Sequence, residues 1–199
     1  DPGLIRLLAD SPRFCRHLHL PLQSGDEGIL RRMRRSHTAA QFRELVERLA
    51  AAVPGIAVTA DVIVGFPGED EAAFRHTADL LAALPMAGLH VFRFSPRAGT
   101  EAAEFPGQLP AAVKAARSRT LRALAAEKSL AFRQRSVGES LEVVVLHRAR
   151  SDGLLEGLSD NALTLWFPGE PALMGRRCRV RVQGIDARGL RGLRVGDVD

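Results

Sequence analysis

The sequence predicts an α/β chain in three parts: strand–helix repeats over residues 1–109, a long basic helix over 110–136, and a small all-β barrel over 137–199. Three observations carry this reading. Apolar runs of strand type alternate with amphipathic helical stripes through the first part. Five short β-type runs, separated by turn signals, fill the last part. All the excess positive charge lies between them.

Residues 16–22, Arg-His-Leu-His-Leu-Pro-Leu, alternate with period two and place Leu18, Leu20 and Leu22 on one face, His17 and His19 on the other. A helix is expected from about Glu27. A second opens at Thr38, where Thr38 and Gln41 fit a capping box and Phe42, Leu45, Val46 and Leu49 form one stripe. Residues 56–64 are nearly continuously apolar, as a strand covered on both faces requires. Asp70 and Glu71 start the next helix, with Phe74, Thr77, Ala78, Leu81 and Leu84 as its stripe, and residues 88–94 give a third strand. Short connections imply parallel strands with right-handed crossovers. Pro110 suits the first position of the basic helix, which should run to about Arg135. The β runs are 141–146, 154–158, 163–167, 178–185 and about 190–195, with turns at Ser151-Asp152-Gly153, Asp160-Asn161, Pro168-Gly169 and Arg188-Gly189.

Residues 1–109 hold 12 basic and 13 acidic side chains, 110–136 hold 7 and 1, and 137–199 hold 9 of each, which accounts for the net charge of +5. A basic block of this kind suits a polyanion, through phosphate neutralisation, or simply forms a solvated helix face. The two cysteines, Cys15 and Cys178, offer no C-x-x-C spacing, so no cluster or zinc site is expected from them. No apolar stretch is long enough for a membrane span and no export leader is visible, which makes the cytoplasm the expected location. A start at Asp1 without an initiator methionine suggests a piece of a longer polypeptide.

The strand exits are Gln23-Ser24-Gly25-Asp26, Gly65-Phe66-Pro67-Gly68-Glu69 and Ser95-Pro96-Arg97-Ala98-Gly99-Thr100. All three fall at carboxyl ends of parallel strands, the edge where α/β folds place ligands. Gln23 and Ser24 can bond a ribose or carboxylate, Gly25 permits close backbone approach, and Arg97 can clamp an anion. Asp61, inside an apolar strand, needs a polar lumen or a partner; His17, His19 and His90 can face the same lumen. In the β module, Arg177, Arg179 and Arg181 share one strand face, opposite Cys178, Val180 and Val182. Such a stripe suits a nucleic-acid backbone, and Trp166 can stack on a base.

The segments His17–Gly25, Asp61–Glu69, Leu89–Phe92 and Ser95–Thr100 together resemble the methylthiotransferase branch of the radical S-adenosylmethionine (SAM) superfamily. The leading His-Leu-His-Leu-Pro-Leu-Gln-Ser-Gly and Leu-His-Val-Phe look most like members acting on N6-threonylcarbamoyladenosine in tRNA. The sibling acting on isopentenyladenosine and a non-catalytic RNA-binding protein are the alternatives. The β module, with Gly157–Asn161 and Phe167-Pro168-Gly169, is similar to a TRAM domain, an RNA-binding barrel. The resemblance implies that the first part is the C-terminal half of a partial (β/α)6 radical SAM barrel. It places Gln23 and Ser24 at the ribose or methionine end of SAM. Asp61, Ile63 and Gly65 then lie beside the adenine, and Ser95, Arg97 and Thr100 close the rim. It also implies two 4Fe-4S clusters held by cysteines outside this chain, no catalytic residue or metal ligand within it, and inactivity of the chain alone. The implied partners are tRNA, through Arg117, Arg177, Arg179, Arg181 and Trp166, and the N-terminal half of the parent chain. An exposed half-barrel edge would favour dimerisation or swapping. One departure is local: Arg93-Phe94 stands where the family usually has Pro-Tyr.

Overall fold

The computed structural model describes residues 2–149, 153–186 and 189–198. The predicted turn residues Ser151, Asp152 and Arg188 lie outside them. In chain order the first elements are α1 (Pro2–Asp10), β1 (His17–Gln23), α2 (Glu27–Arg32), α3 (Ala39–Ala52) and β2 (Ala57–Val64). Then follow α4 (Glu71–Ala83), β3 (Gly88–Arg93), α5 (Glu101–Glu104) and α6 (Ala111–Gln134). The remainder is β4 (Ser140–Ala149), β5 (Leu154–Ser159), β6 (Thr164–Pro168), β7 (Arg177–Asp186) and β8 (Gly189–Asp197). They form two compact units, Leu18–Ser129 and Asp1–His17 with Leu130–Asp199.

The first unit is built on a three-stranded sheet in the order β1-β2-β3. β2 and β3 run parallel, with Asp61 opposite His90 and Ile63 opposite Phe92. Along β2, Val58, Ala60, Val62 and Val64 are fully buried while Thr59, Asp61 and Ile63 are half-buried. One face therefore packs a core and the other is polar, which explains how a carboxylate survives in so apolar a strand. The helices start where the sequence offers caps. Thr38 and Gln41 close a complete capping box on α3, Asp70 caps α4 and Asp26 caps α2. Phe42, Val46 and Leu49 of α3, and Phe74, Thr77, Leu80 and Leu81 of α4, supply the buried stripes.

Several cations of the basic helix α6 are engaged within its own unit. The Lys128 ammonium donates to the Ala82 and Leu84 carbonyls at 2.8 and 2.7 Å, capping the end of α4. Lys114 donates to the Phe94 carbonyl at 3.2 Å, Arg122 reaches the Val91 carbonyl, and Arg117 enters the core. These long side chains lay their stems along the unit and spend their charge on its carbonyls. Arg119 and Arg135 remain exposed.

In the second unit β4-β5-β6-β8-β7 close into a barrel. Val143, Val145, Leu155, Leu165, Phe167, Cys178, Val180, Val182 and Leu190 fill it, with Phe132 from the end of α6 packed against them. Residues 1–17, read above with the first part, cluster with this barrel. The Arg16 guanidinium contributes one tie, gripping both carboxylate oxygens of Asp160 at 2.6 and 2.9 Å. Helix α1, absent from the sequence reading, buries Ile5 and Leu8.

Candidate functional site

Residues at or just beyond the ends of the three strands of the first unit line one cavity of about 270 Å³, which the third exit, Ser95–Thr100, does not reach. Gln23 comes from the end of β1, and Met33, Arg32, Arg34 and Arg35 from the end of α2 and the turn after it. Ile63 and Phe66 come from β2 and its exit; Phe94, Glu101, Ala102 and Phe105 follow β3. Phe66 stacks edge-on against Phe94 and Phe105, with centroids 5.1 and 6.2 Å away. The wall is thus aromatic and the rim cationic, with Arg34 paired to Glu101 at 2.5 Å. An aromatic wall with a few placed polar groups is the usual form of a small-molecule site.

Of the residues expected to meet a cofactor, the cavity brings together Gln23 and Ile63. Gln23 holds a left-handed backbone, φ 70°, the conformation an L side chain resists. Strain of this kind collects where a site dictates the geometry. Replacing Gln23 by glycine is expected to leave the melting temperature unchanged or higher, because relieved strain offsets glycine's roughly 0.5–1 kcal/mol entropic cost. A clearly lower melting temperature would mean that the Gln23 amide holds the fold.

Ser24 is corrected: it is completely buried, its hydroxyl 3.3 Å from that of Thr77, and it accepts the Asp26 N–H. Gly25 donates to the same Thr77 hydroxyl at 2.9 Å, and a Cβ on Gly25 would meet the Thr77 Cα at 2.7 Å. The glycine therefore serves close packing on α4, and the Ser24 hydroxyl is enclosed between Thr77 and the Asp26 amide. Asp26 completes this corner, bonding His76 at 2.8 Å. Burial pushes its carboxyl up, but His76 and the Ile29 and Gly28 amides outweigh it and hold the carboxyl below its ordinary value.

Gly65 is corrected in the same sense. Its N–H donates to Glu69 Oε1 at 2.9 Å, and the space beside its Cα, at φ 77°, is filled by the Lys114 side chain. Ser95, Arg97 and Thr100 are exposed and do not line the cavity; Thr100 instead bonds the Arg97 carbonyl at 2.8 Å. Arg117 is also corrected as an RNA contact, being buried in an ion pair with Glu69 at 2.6 Å.

On the polar face of the sheet Asp61 meets two histidines, His19 Nε2 at 3.0 Å and His90 Nδ1 at 3.4 Å. The acid partner that each histidine lacked in sequence is thus the same carboxylate, delivered by strand register. In the barrel, Arg177, Arg179 and Arg181 are exposed along β7, with Arg177 paired to Glu142 at 2.9 Å. Trp166 is half-buried on β6, registered between Glu156 and Arg191.

The described residues hold no set of thiolates for an iron–sulfur cluster. Cys15 is exposed, whereas Cys178 is enclosed in the barrel core, where burial pushes its thiol up.

Comparison with known proteins places the chain among named relatives. The Radical SAM superfamily profile matches residues 1–81. A curated protein of Moorella thermoacetica, tRNA-2-methylthio-N(6)-dimethylallyladenosine synthase, is 42% identical over 182 residues, covering 91% of this chain and 41% of the relative. Proteins of the same name from Maricaulis maris and a Parafrankia species are 36% and 44% identical over 196 and 160 residues. They cover 98% and 80% of this chain, and 43% and 32% of those proteins. The chain spans about two fifths of the length of the first two relatives. All three are named for dimethylallyladenosine, not for the threonylcarbamoyladenosine to which the histidine-bearing motifs pointed. With a strand-exit cavity on a parallel sheet and matches running almost its whole length, the chain belongs to the radical SAM methylthiotransferase family.

Proposed function

We propose that this chain is the substrate-handling part of an enzyme that converts N6-dimethylallyladenosine (isopentenyladenosine) in tRNA to its 2-methylthio derivative. The single observation that carries the reading is the 42% identity over 91% of the chain to a relative of that name. It replaces the threonylcarbamoyl subgroup as the expected substrate class. The apolar wall of Ile63, Phe66, Phe94 and Phe105 supports it, because a dimethylallyl group or an adenine face gains by leaving water there.

SAM fits the cavity in part. The Gln23 amide and the Ile63 side chain are the groups that would hold its adenosine, and 270 Å³ leaves the rest of the molecule to other walls. Those walls belong to the remaining part of the longer parent, as do the cysteines of its 4Fe-4S clusters, two in this reading. The same part would cover the polar sheet face, where His19, Pro21, His90 and Phe92 stand exposed. Radical chemistry is then the work of cofactor and clusters; this chain orients substrate and excludes water.

The five-stranded barrel acts as a TRAM-like RNA module. Arg177, Arg179 and Arg181 form one exposed row, and the exposed Arg177–Glu142 pair yields to a phosphate at little cost. Replacing all three arginines by alanine in the full-length protein is expected to weaken tRNA binding. It should also flatten the slope of log K against log salt by about 2–3. Filter binding across a salt series checks this, and an unchanged slope would remove the barrel row from the interface.

Nucleoside mass spectrometry of tRNA from cells lacking the parent gene tests the function. Loss of 2-methylthio-N6-dimethylallyladenosine, with its unthiolated precursor accumulating, is expected. Loss confined to the threonylcarbamoyl nucleoside would overturn the proposal.

A further inference from the structure

The geometry points to a divalent transition-metal site of the zinc type on the sheet face, with His19, Asp61 and His90 as ligands and the remaining positions open to water. The site lies on the sheet face that the remaining part of the parent would cover in the reading above, and it uses neither cysteine.

Three neighbouring strands each supply one donor. Asp61 and His90 are direct register partners on β2 and β3, and His19 comes from β1. One donor atom from each of the three side chains lies within 4.8 Å of the other two. Tetrahedral zinc with bonds near 2.0–2.1 Å places its ligand atoms about 3.3 Å apart. The two edges through Asp61, at 3.0 and 3.4 Å, bracket that value. Only the His19–His90 edge has to close, which the more exposed His90 can do by turning: the side chains are 36%, 30% and 60% exposed for His19, Asp61 and His90. Two imidazoles and one carboxylate form a borderline donor set, suited to zinc or a similar cation rather than to calcium or magnesium.

The second observation is the hydrogen-bond chain behind His19. Its Nδ1 lies 2.9 Å from the Thr59 hydroxyl, and that hydroxyl lies 3.5 Å from the Leu18 carbonyl. With Thr59 donating to the carbonyl, its oxygen accepts from Nδ1–H, and the ring is held with Nε2 toward Asp61. An Nε2 atom 3.0 Å from a carboxylate oxygen is placed to share a metal ion with it. This is also how metal-bound histidines are oriented by an outer hydrogen bond.

The test is zinc titration of the tag-free chain carrying Cys15→Ser, followed by isothermal calorimetry and histidine ring nitrogen NMR, with cobalt as a spectroscopic substitute. One zinc per chain is expected, with perturbed signals for His19 and His90 but not His37 or His76. Asp61→Asn and His90→Gln should each lower affinity at least tenfold, and Thr59→Val, which only orients His19, by about 10–100-fold. Circular dichroism and metal-free melting show whether each variant folds. His90 is the most exposed ligand, so His90→Gln stays informative should Asp61→Asn fail. Absence of stoichiometric zinc, or unchanged affinity in the folded ligand variants, would overturn the site and leave a plain hydrogen-bonded cluster.

Discussion

Replacing Arg117 by methionine is expected to destabilise the first unit by about 3–5 kcal/mol at neutral pH, because it strands a buried carboxylate. Glu69 is 3% exposed and Arg117 7%. Arg117 Nη1 reaches Glu69 Oε1 at 2.6 Å and the Glu69 carbonyl at 2.9 Å, while the guanidinium lies 5.2 Å from the Phe74 ring centroid. Its Nε is buried without a hydrogen-bond partner, so the pair is only partly compensated. Burial pushes the Glu69 carboxyl above its ordinary value, against the pull of the Gly65 amide and of Arg117. The sign of the pH dependence follows. A folded-state value above the unfolded one means that Glu69's contribution is complete below the unfolded value and fades as pH rises through the folded one. Without Arg117 the carboxyl rises further, so the variant's deficit should shrink on acidification. Urea unfolding at acidic and alkaline pH checks this. The double variant Glu69→Gln/Arg117→Met should recover much of the loss, and a deficit that ignores pH would show that Glu69 is not the stranded charge.

Phe167→Ala in the barrel should cost about 3–5 kcal/mol, the range for truncating a fully buried aromatic ring. Phe167 has no exposed surface, and its ring fills the space left by Gly157, where a Cβ would come within 3.0 Å of it. The neighbouring Trp166 is the single tryptophan of the chain, so its fluorescence reports on the barrel. Its urea midpoint is expected to fall sharply; a change worth under about 1 kcal/mol would mean that the core closes around the gap.

The fold was readable where one segment decides its own state. The alternation at residues 16–22, the Thr38–Gln41 capping box and the five β runs each declare an element locally, and each is present. Partners were not readable. Asp61 meets His19 and His90 because of strand register, and Arg117 meets Glu69 across 48 positions. Periodicity tells which face a residue occupies but not what stands opposite. The basic helix shows the same limit. A charge count cannot distinguish a solvated ammonium from Lys128, whose head caps α4. Ser24, Gly25 and Gly65 look like ligand-binding residues in sequence, yet Thr77, Glu69 and Lys114 take up their bonds and space. The cavity is instead lined by Phe66, Phe94 and Phe105, apolar residues without a catalytic signature of their own.

The most direct measurement uses the full-length parent, purified without oxygen and supplied with reductant, sulfide and SAM. It is offered tRNA bearing N6-dimethylallyladenosine and tRNA bearing N6-threonylcarbamoyladenosine in competition. Digestion and mass spectrometry should show the methylthio group on the dimethylallyl nucleoside. Thiolation of the threonylcarbamoyl nucleoside alone, or of neither while SAM is consumed, would contradict this account.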